Sequence, residues 1–149
     1  KVKLNGEQPL ACIQAVRAAR PSAEIVVDVN QGWSFEQLVA LAPEFKKLGI
    51  TMIEQPLPRG KDGPLEGYEP PLPLCADESC LDTSELNEAA KRYQMINIKL
   101  DKTGGLTEAL LLAKAAKQQG LGLMVGICWA RLWAWRLLLL LPSIVSWLI

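Results

Sequence analysis

Histidine is absent from the 149-residue chain. That excludes Ser-His-Asp and Cys-His nucleophile systems, histidine-ligated zinc and imidazole pH switches from this chain. Cysteine is scarce: Cys12, Cys75, Cys80 and Cys128 include no C-x-x-C pair, so neither a zinc knuckle nor a thioredoxin-type redox site is expected. A core of ordinary size needs no disulfide framework, and a reducing cytoplasm is the expected setting. Net charge is lacking too, with 16 basic against 16 acidic side chains. Nothing there favours nucleic acid or an anionic membrane surface as partner. Long apolar runs are also missing. The charge-free stretch Leu137–Ile149 falls short of the roughly 20 residues a spanning helix needs, so no membrane association is expected. Lys1-Val-Lys-Leu-Asn-Gly6 does not read as a signal peptide.

What is present is a half-hydrophobic chain, ample for one packed domain. Its composition changes near Gly126. Residues 1–126 hold every acidic residue, whereas Trp129, Trp133, Trp135 and Trp147 crowd the remainder, whose only charges are Arg131 and Arg136. Residues 1–126 therefore read as one domain, and 127–149 as an aberrant Trp/Leu-rich tail.

The first part alternates short β-like runs with helical patterns. Strands are expected over Lys1–Leu4, Glu24–Asp28, Thr51–Glu54, Leu72–Ala76, Met95–Lys99 and Leu121–Val125. Leu38, Leu41, Phe45 and Leu48 recur at helical spacing, as do Leu106, Leu110 and Ala113. Ser34-Phe-Glu-Gln37 has the capping-box form, and Gly49 and Gly120 stand where helices should stop. This alternation predicts right-handed βαβ units and a parallel sheet.

The polar residues inside these strands carry the functional signal. Lys1 and Lys3 share one face of their strand, and Asn97 and Lys99 share one face of theirs. Asp28, Glu54 and Asp77 each close an apolar run at a strand's carboxyl end, where parallel α/β proteins build active sites. From Lys3 through Asp28, Glu54 and Asp77 to Lys99, each step is 22 to 26 residues, about one βα unit. One ionisable group per consecutive strand can converge in a closed barrel, whereas an open sheet would hold the outermost pair apart. The expected fold is thus α/β, a partial TIM-type (β/α) barrel.

Three carboxylates without histidine or paired thiols make a hard-oxygen site, suited to Mg²⁺ or Mn²⁺ rather than zinc. Lysines on flanking strands could stand on either side of a substrate held there. Lysine acts as a base near neutral pH when burial or a neighbouring cation lowers its pKa, and Lys1 could be that cation for Lys3. The chemistry that suits such a site is proton abstraction beside a carboxylate. Single residues also have plainer explanations. Asp28 could be a turn or capping aspartate, Lys99 could snorkel to solvent, and Gly104-Gly105 lacks Walker spacing and reads as a tight βα turn. Asp77 and Glu78 are adjacent and would point opposite ways if extended, so one of them at most should be a ligand.

The motifs Lys1-Val-Lys3, Asp28-Val-Asn30, Glu54-Gln55-Pro56, Asp77-Glu78-Ser79 and Lys99-Leu-Asp-Lys-Thr-Gly-Gly105, in this order, resemble the muconate-lactonizing subgroup of the enolase superfamily. Within it they are most like the L-Ala-D/L-Glu dipeptide epimerases. The resemblance implies that Asp28, Glu54 and Asp77 are Mg²⁺ ligands, with Mn²⁺ as the substitute. It implies that Lys3 and Lys99 are the two acid/base residues, one per face of the α-carbon, and that Lys1 is a helper lysine. The activity implied is epimerisation of a small dipeptide by two-lysine 1,1-proton transfer through an enediolate that the metal stabilises. Cycloisomerases, N-acylamino-acid racemases and succinylbenzoate-synthase-like enzymes would use the same residues, and a non-catalytic remnant would keep the same carboxylates. The stretch matched corresponds to about strands 2 to 7 of the family's barrel. Its N-terminal capping domain, first strand and eighth-strand D-x-D segment have no counterpart here, and the unpaired strand edges this implies favour homo-oligomers. Read two bases out of frame, the segment from Ile127 is compatible with the run the family carries at that point, so the tail is expected to be an out-of-frame translation.

Overall fold

The computed structural model describes residues 1–4, 7–126 and, for their backbone, 147–148. The chain divides into two compact units, Lys1–Cys75 and Ala76–Ile149.

The first unit opens with strand β1 (Val2–Lys3), helix α1 (Pro9–Ala19), β2 (Ile25–Asp28), helix α2 (Phe35–Lys47) and β3 (Ile50–Glu54). A short 3-10 turn at Gly63–Leu65 precedes β4 (Leu74–Ala76), whose last residue begins the second unit. Every ladder here is parallel: β1 pairs with β2, β2 with β3, and β3 with β4. All four residues of β2 are buried, as are four of the five in β3. Such continuous burial is the mark of a parallel sheet covered on both faces. Ile13 of α1 and Leu38, Ala42 and Phe45 of α2 are fully buried, α1 packs on α2 and α2 on β3, and Trp33 lies edge-on to Phe45.

Local chemistry sets the ends of these elements. The Ser34 side chain accepts from the Gln37 backbone N–H while the Gln37 side chain accepts from the Ser34 backbone N–H, completing the expected capping box of α2. Helix α2 stops before Gly49, whose φ of 71° an L side chain rarely adopts. The turn there is fastened to α1 by Arg17, whose guanidinium donates to the carbonyls of Leu48 at 2.8 Å and Gly49 at 2.9 Å.

The second unit carries the one-turn helix α3 (Leu86–Ala89), β5 (Met95–Ile98), helix α4 (Leu106–Gln118), β6 (Gly122–Val125) and β7 (Trp147–Leu148). β5 pairs with β6 and β6 with β7, again in parallel. Leu86, Tyr93, Ile96, Leu112, Ala116, Leu123 and Met124 make its core. α4 has Gly105 at its amino end and stops at Gln118, two residues before Gly120.

The structure therefore has the expected βα alternation and parallel pairing, with most strand limits within a residue or two of expectation. It adds α1, α3 and β7. Of the Trp/Leu-rich tail, only the Trp147–Leu148 backbone is described, paired parallel to Met124–Val125. The expected domain boundary at Gly126 and the out-of-frame reading otherwise fall outside the described residues.

Candidate active site

The ladder registers of the first unit align a row of residues at the carboxyl ends of its strands. Lys3 stands opposite Asp28, Asp28 opposite Glu54, and Glu54 opposite Cys75. Residues aligned in this way on parallel strands present their side chains to one side of the sheet. The spacing of about 25 residues per βα unit is thereby converted into adjacency of a lysine and two carboxylates.

Asp28 and Glu54 are buried, 1% and 0% exposed. Isolated carboxylates at that depth would be prohibitively costly, and Lys1 offsets the cost. Its ammonium nitrogen lies 2.9 Å from Asp28 Oδ2 and 2.6 Å from Glu54 Oε2. Burial works to lower the Lys1 pKa, but attraction and hydrogen bonding to Glu54, and then to Asp28, outweigh it and hold the amine above its ordinary value. Lys3 reaches the same Asp28 oxygen at 3.5 Å, but its side chain is 67% exposed against 17% for Lys1. The other oxygen, Asp28 Oδ1, accepts the Asn30 backbone N–H at 3.0 Å.

The loops leaving β2 and β3 are tightly bent. Asn30, Gln31 and Gln55 all adopt positive φ, and the Gln31 N–H donates to the Gln55 carbonyl at 2.8 Å. Non-glycine residues in this region carry strain, which persists where surrounding bonds over-determine the backbone. Here the buried Gln55 side chain donates to the Leu57 carbonyl, and the Arg59 N–H donates to Gln31 Oε1.

A second cluster lies wholly within the second unit. Asp77, 3% exposed, receives Lys99 Nζ on Oδ2 at 2.5 Å and Lys102 Nζ on Oδ1 at 2.6 Å. Burial alone would raise this carboxyl's pKa, but Lys102 and then Lys99 draw it below the ordinary aspartate value. Lys99 sits just past β5 and is 8% exposed, so it does not snorkel. The Gly104-Gly105 segment is a βα turn. Both glycines have positive φ, and the Thr103 hydroxyl donates to the Gly105 carbonyl at 3.0 Å.

Thus Lys1, Lys3, Asp28 and Glu54 meet in one unit, and Asp77 and Lys99 in the other. Among the described residues no three His, Cys, Asp or Glu side chains gather as a ready metal cluster. The donors nevertheless suit a hard cation. Asp28 and Glu54 present buried oxygens to one shared positive charge, which the Lys1 ammonium now supplies from a distance typical of ion pairing. Two participants had no role assigned from sequence. Asn30 is signalled by the Asp-x-Asn pattern of an Asx turn. Lys102 follows Lys99 by three residues within the same motif, but only the folded turn shows where its amine goes.

No helix among the described residues is long and apolar enough to cross a membrane. A family model described as enolase C-terminal domain-like matches residues 1–141. The chain is 49% identical over 133 residues to the L-Ala-D/L-Glu epimerase of Escherichia coli, covering 88% of this chain and 41% of that protein. It superposes with a TM-score of 0.90 and 39% identity on an enolase family member from Agrobacterium tumefaciens with homology to dipeptide epimerases, solved with sodium and L-Ala-L-Glu. That match covers 99% of this chain and 44% of the other. A dipeptide epimerase from Cytophaga hutchinsonii, complexed with Mg and D-Ala-L-Val, superposes at a TM-score of 0.79 and 28% identity over 86% of this chain and 36% of its own. The chain thus spans about two-fifths of the length of the relatives it matches.

Proposed function

The chain belongs to the enolase C-terminal domain-like family, and on that footing we propose that it carries the metal and proton-transfer residues of a Mg²⁺-dependent dipeptide epimerase of the L-Ala-D/L-Glu type. The observation that carries this reading is the register Lys3–Asp28–Glu54, which lines up a lysine with two buried carboxylates that share one cation. In this proposal Asp28, Glu54 and Asp77 are the Mg²⁺ ligands, Lys3 and Lys99 are the acid/base pair, and Lys1 is the helper.

When bound, Mg²⁺ would draw electron density from a substrate carboxylate and so acidify the neighbouring α-C–H bond. The protein's part is to move the proton. Either lysine must be a neutral amine to accept it: the α-C–H bond breaks as an N–H bond forms. The other lysine, as an ammonium, returns a proton to the opposite face and inverts the carbon. Lys3 is suited by its exposure, which leaves its amine open to a ligand. Lys99 is suited by its seat on a buried carboxylate, which fixes the direction of its amine. The relatives solved with L-Ala-L-Glu and D-Ala-L-Val support a small dipeptide as substrate. We also place the protein in the cytoplasm, since a domain of this size needs no disulfide framework.

Exchange of the α-proton in D₂O tests the proposal. With Mg²⁺, L-Ala-L-Glu should gain one dalton by mass spectrometry and epimerise, and Lys3→Ala and Lys99→Ala should each abolish epimerisation, because inversion needs a lysine on both faces of the α-carbon. No exchange from folded protein across a small dipeptide library would refute it for this chain.

A further inference from the structure

Lys102 is a half-buried titratable group that the proton-transfer scheme does not use, and its ammonium lies among several closely placed oxygens. Its side chain is 11% exposed. The ammonium nitrogen lies 2.6 Å from Asp77 Oδ1, 2.7 Å from the Asp77 carbonyl and 2.8 Å from the Asn97 carbonyl, with the Cys80 carbonyl farther away at 3.5 Å. An ammonium has three N–H bonds and no acceptor. Three short contacts therefore use its full donor capacity.

We propose that Lys102 is a positioning residue: it orients the Asp77 carboxylate for cation binding and leaves proton transfer to Lys99. This deepens the reading above and rests on Asp77 being a metal ligand. Three features of the contact carry it.

One nitrogen holds both a side-chain oxygen and the main-chain carbonyl of Asp77, so rotation of that side chain breaks a hydrogen bond. The Asn97 carbonyl belongs to β5, where Asn97 and Ile98 pair with Met124 and Val125 of β6, so the anchor is a ladder and not a mobile loop. Two of the three short acceptors are backbone carbonyls, which stay in place whatever Oδ2 binds. Lys99 meets that other oxygen, Oδ2. The two lysines thus divide one carboxylate, Lys102 holding Oδ1 and Lys99 lying on the side where exchange of partners is required.

The turn supplies the geometry. The Lys102 and Thr103 N–H groups both donate to the Lys99 carbonyl, at 3.0 and 3.1 Å, folding residue 102 back beside Lys99. Groups that hold metal ligands in this way matter roughly tenfold to a hundredfold in metal affinity.

The test is Mn²⁺ affinity of the full 149-residue chain, read from the electron paramagnetic resonance signal of unbound Mn²⁺. Thermal melts without metal report folding separately. Asp77→Asn should weaken Mn²⁺ binding most, and Lys102→Met should weaken it roughly tenfold to a hundredfold in protein that still folds. Lys102→Arg keeps the charge, but a planar guanidinium cannot direct three N–H bonds from one nitrogen, so it should fall between parent and Met variant. Should the Met variant fail to fold, a weakened Arg variant supports the proposal and an unchanged one overturns it. Parent-like Mn²⁺ affinity in folded Lys102→Met, with Asp77→Asn impaired, overturns the positioning role and leaves Asp77 a ligand. Parent and Asp77→Asn behaving alike removes Asp77 from the metal site, and this proposal with it.

Discussion

The two units solve the same problem, a buried carboxylate at the end of a strand, in opposite ways. In the first, one ammonium serves two carboxylates: Lys1 bridges Asp28 and Glu54. In the second, two ammoniums serve one carboxylate: Lys99 and Lys102 divide Asp77. The first arrangement is set by strand register, because Asp28 and Glu54 are Cα partners on adjacent parallel strands. The second is set by a turn that folds Lys102 back toward Lys99. Backbone ladders position the carboxylates of one cluster, and side-chain hydrogen bonds position that of the other.

The largest expected effect comes from removing the shared carboxylate. Asp77→Leu leaves two nearly buried ammoniums facing an apolar group and should cost about 3–5 kcal/mol in denaturant unfolding. Lys1→Met leaves two carboxylates instead. Those carboxylates are buried, but the Lys1 position is somewhat more open to water, so its loss should cost toward the lower end of that range, about 3 kcal/mol. Mg²⁺ should then raise the melting temperature of Lys1→Met more than that of the parent, since a cation would replace the missing ammonium. Equal Mg²⁺ responses would break the parallel between ammonium and metal.

Acid and base should separate the clusters. The Asp77 carboxyl is held below its ordinary value of 3.8, so its stabilisation is present above that pH and is lost as pH falls through the lower folded value. Lys1 is held above 10.5, so its stabilisation is complete below that pH and is lost as pH rises through the higher folded value. Asp77→Leu should therefore flatten the acid limb of a stability–pH curve, and Lys1→Met the alkaline limb. The reverse assignment would mean that each cluster's dominant partner is misidentified.

The smallest expected effect sharpens the contrast between the two lysines on Asp28. Lys3→Ala removes an exposed amine 3.5 Å from the carboxylate, so unfolding should shift by less than about 0.5 kcal/mol. The same substitution should abolish epimerisation of the α-carbon. A large stability loss would make Lys3 a structural lysine like Lys1.

Sequence reading reached unevenly across the molecule. α2 was legible because Leu38 and Phe45 recur on a fully buried face and Ser34 caps its start. α1 was not, since Ile13 is its one buried residue and its periodic signal is correspondingly thin. α3 is a single turn, too short to show a period. The Asp28–Glu54 pair was legible because both close apolar strands at a constant spacing. Lys102 was not, because in sequence it is one more lysine in a polar turn.

The sequence by itself determined the parallel βα order and which acidic and basic groups stand at strand ends, since alternation and spacing are one-dimensional properties that a parallel ladder preserves. Only the tertiary structure decided which charges pair with which. Ion pairing depends on where the tip of a long side chain comes to rest, several ångströms from its backbone, and turns such as Lys99–Gly105 set that position through hydrogen bonds that no spacing rule records.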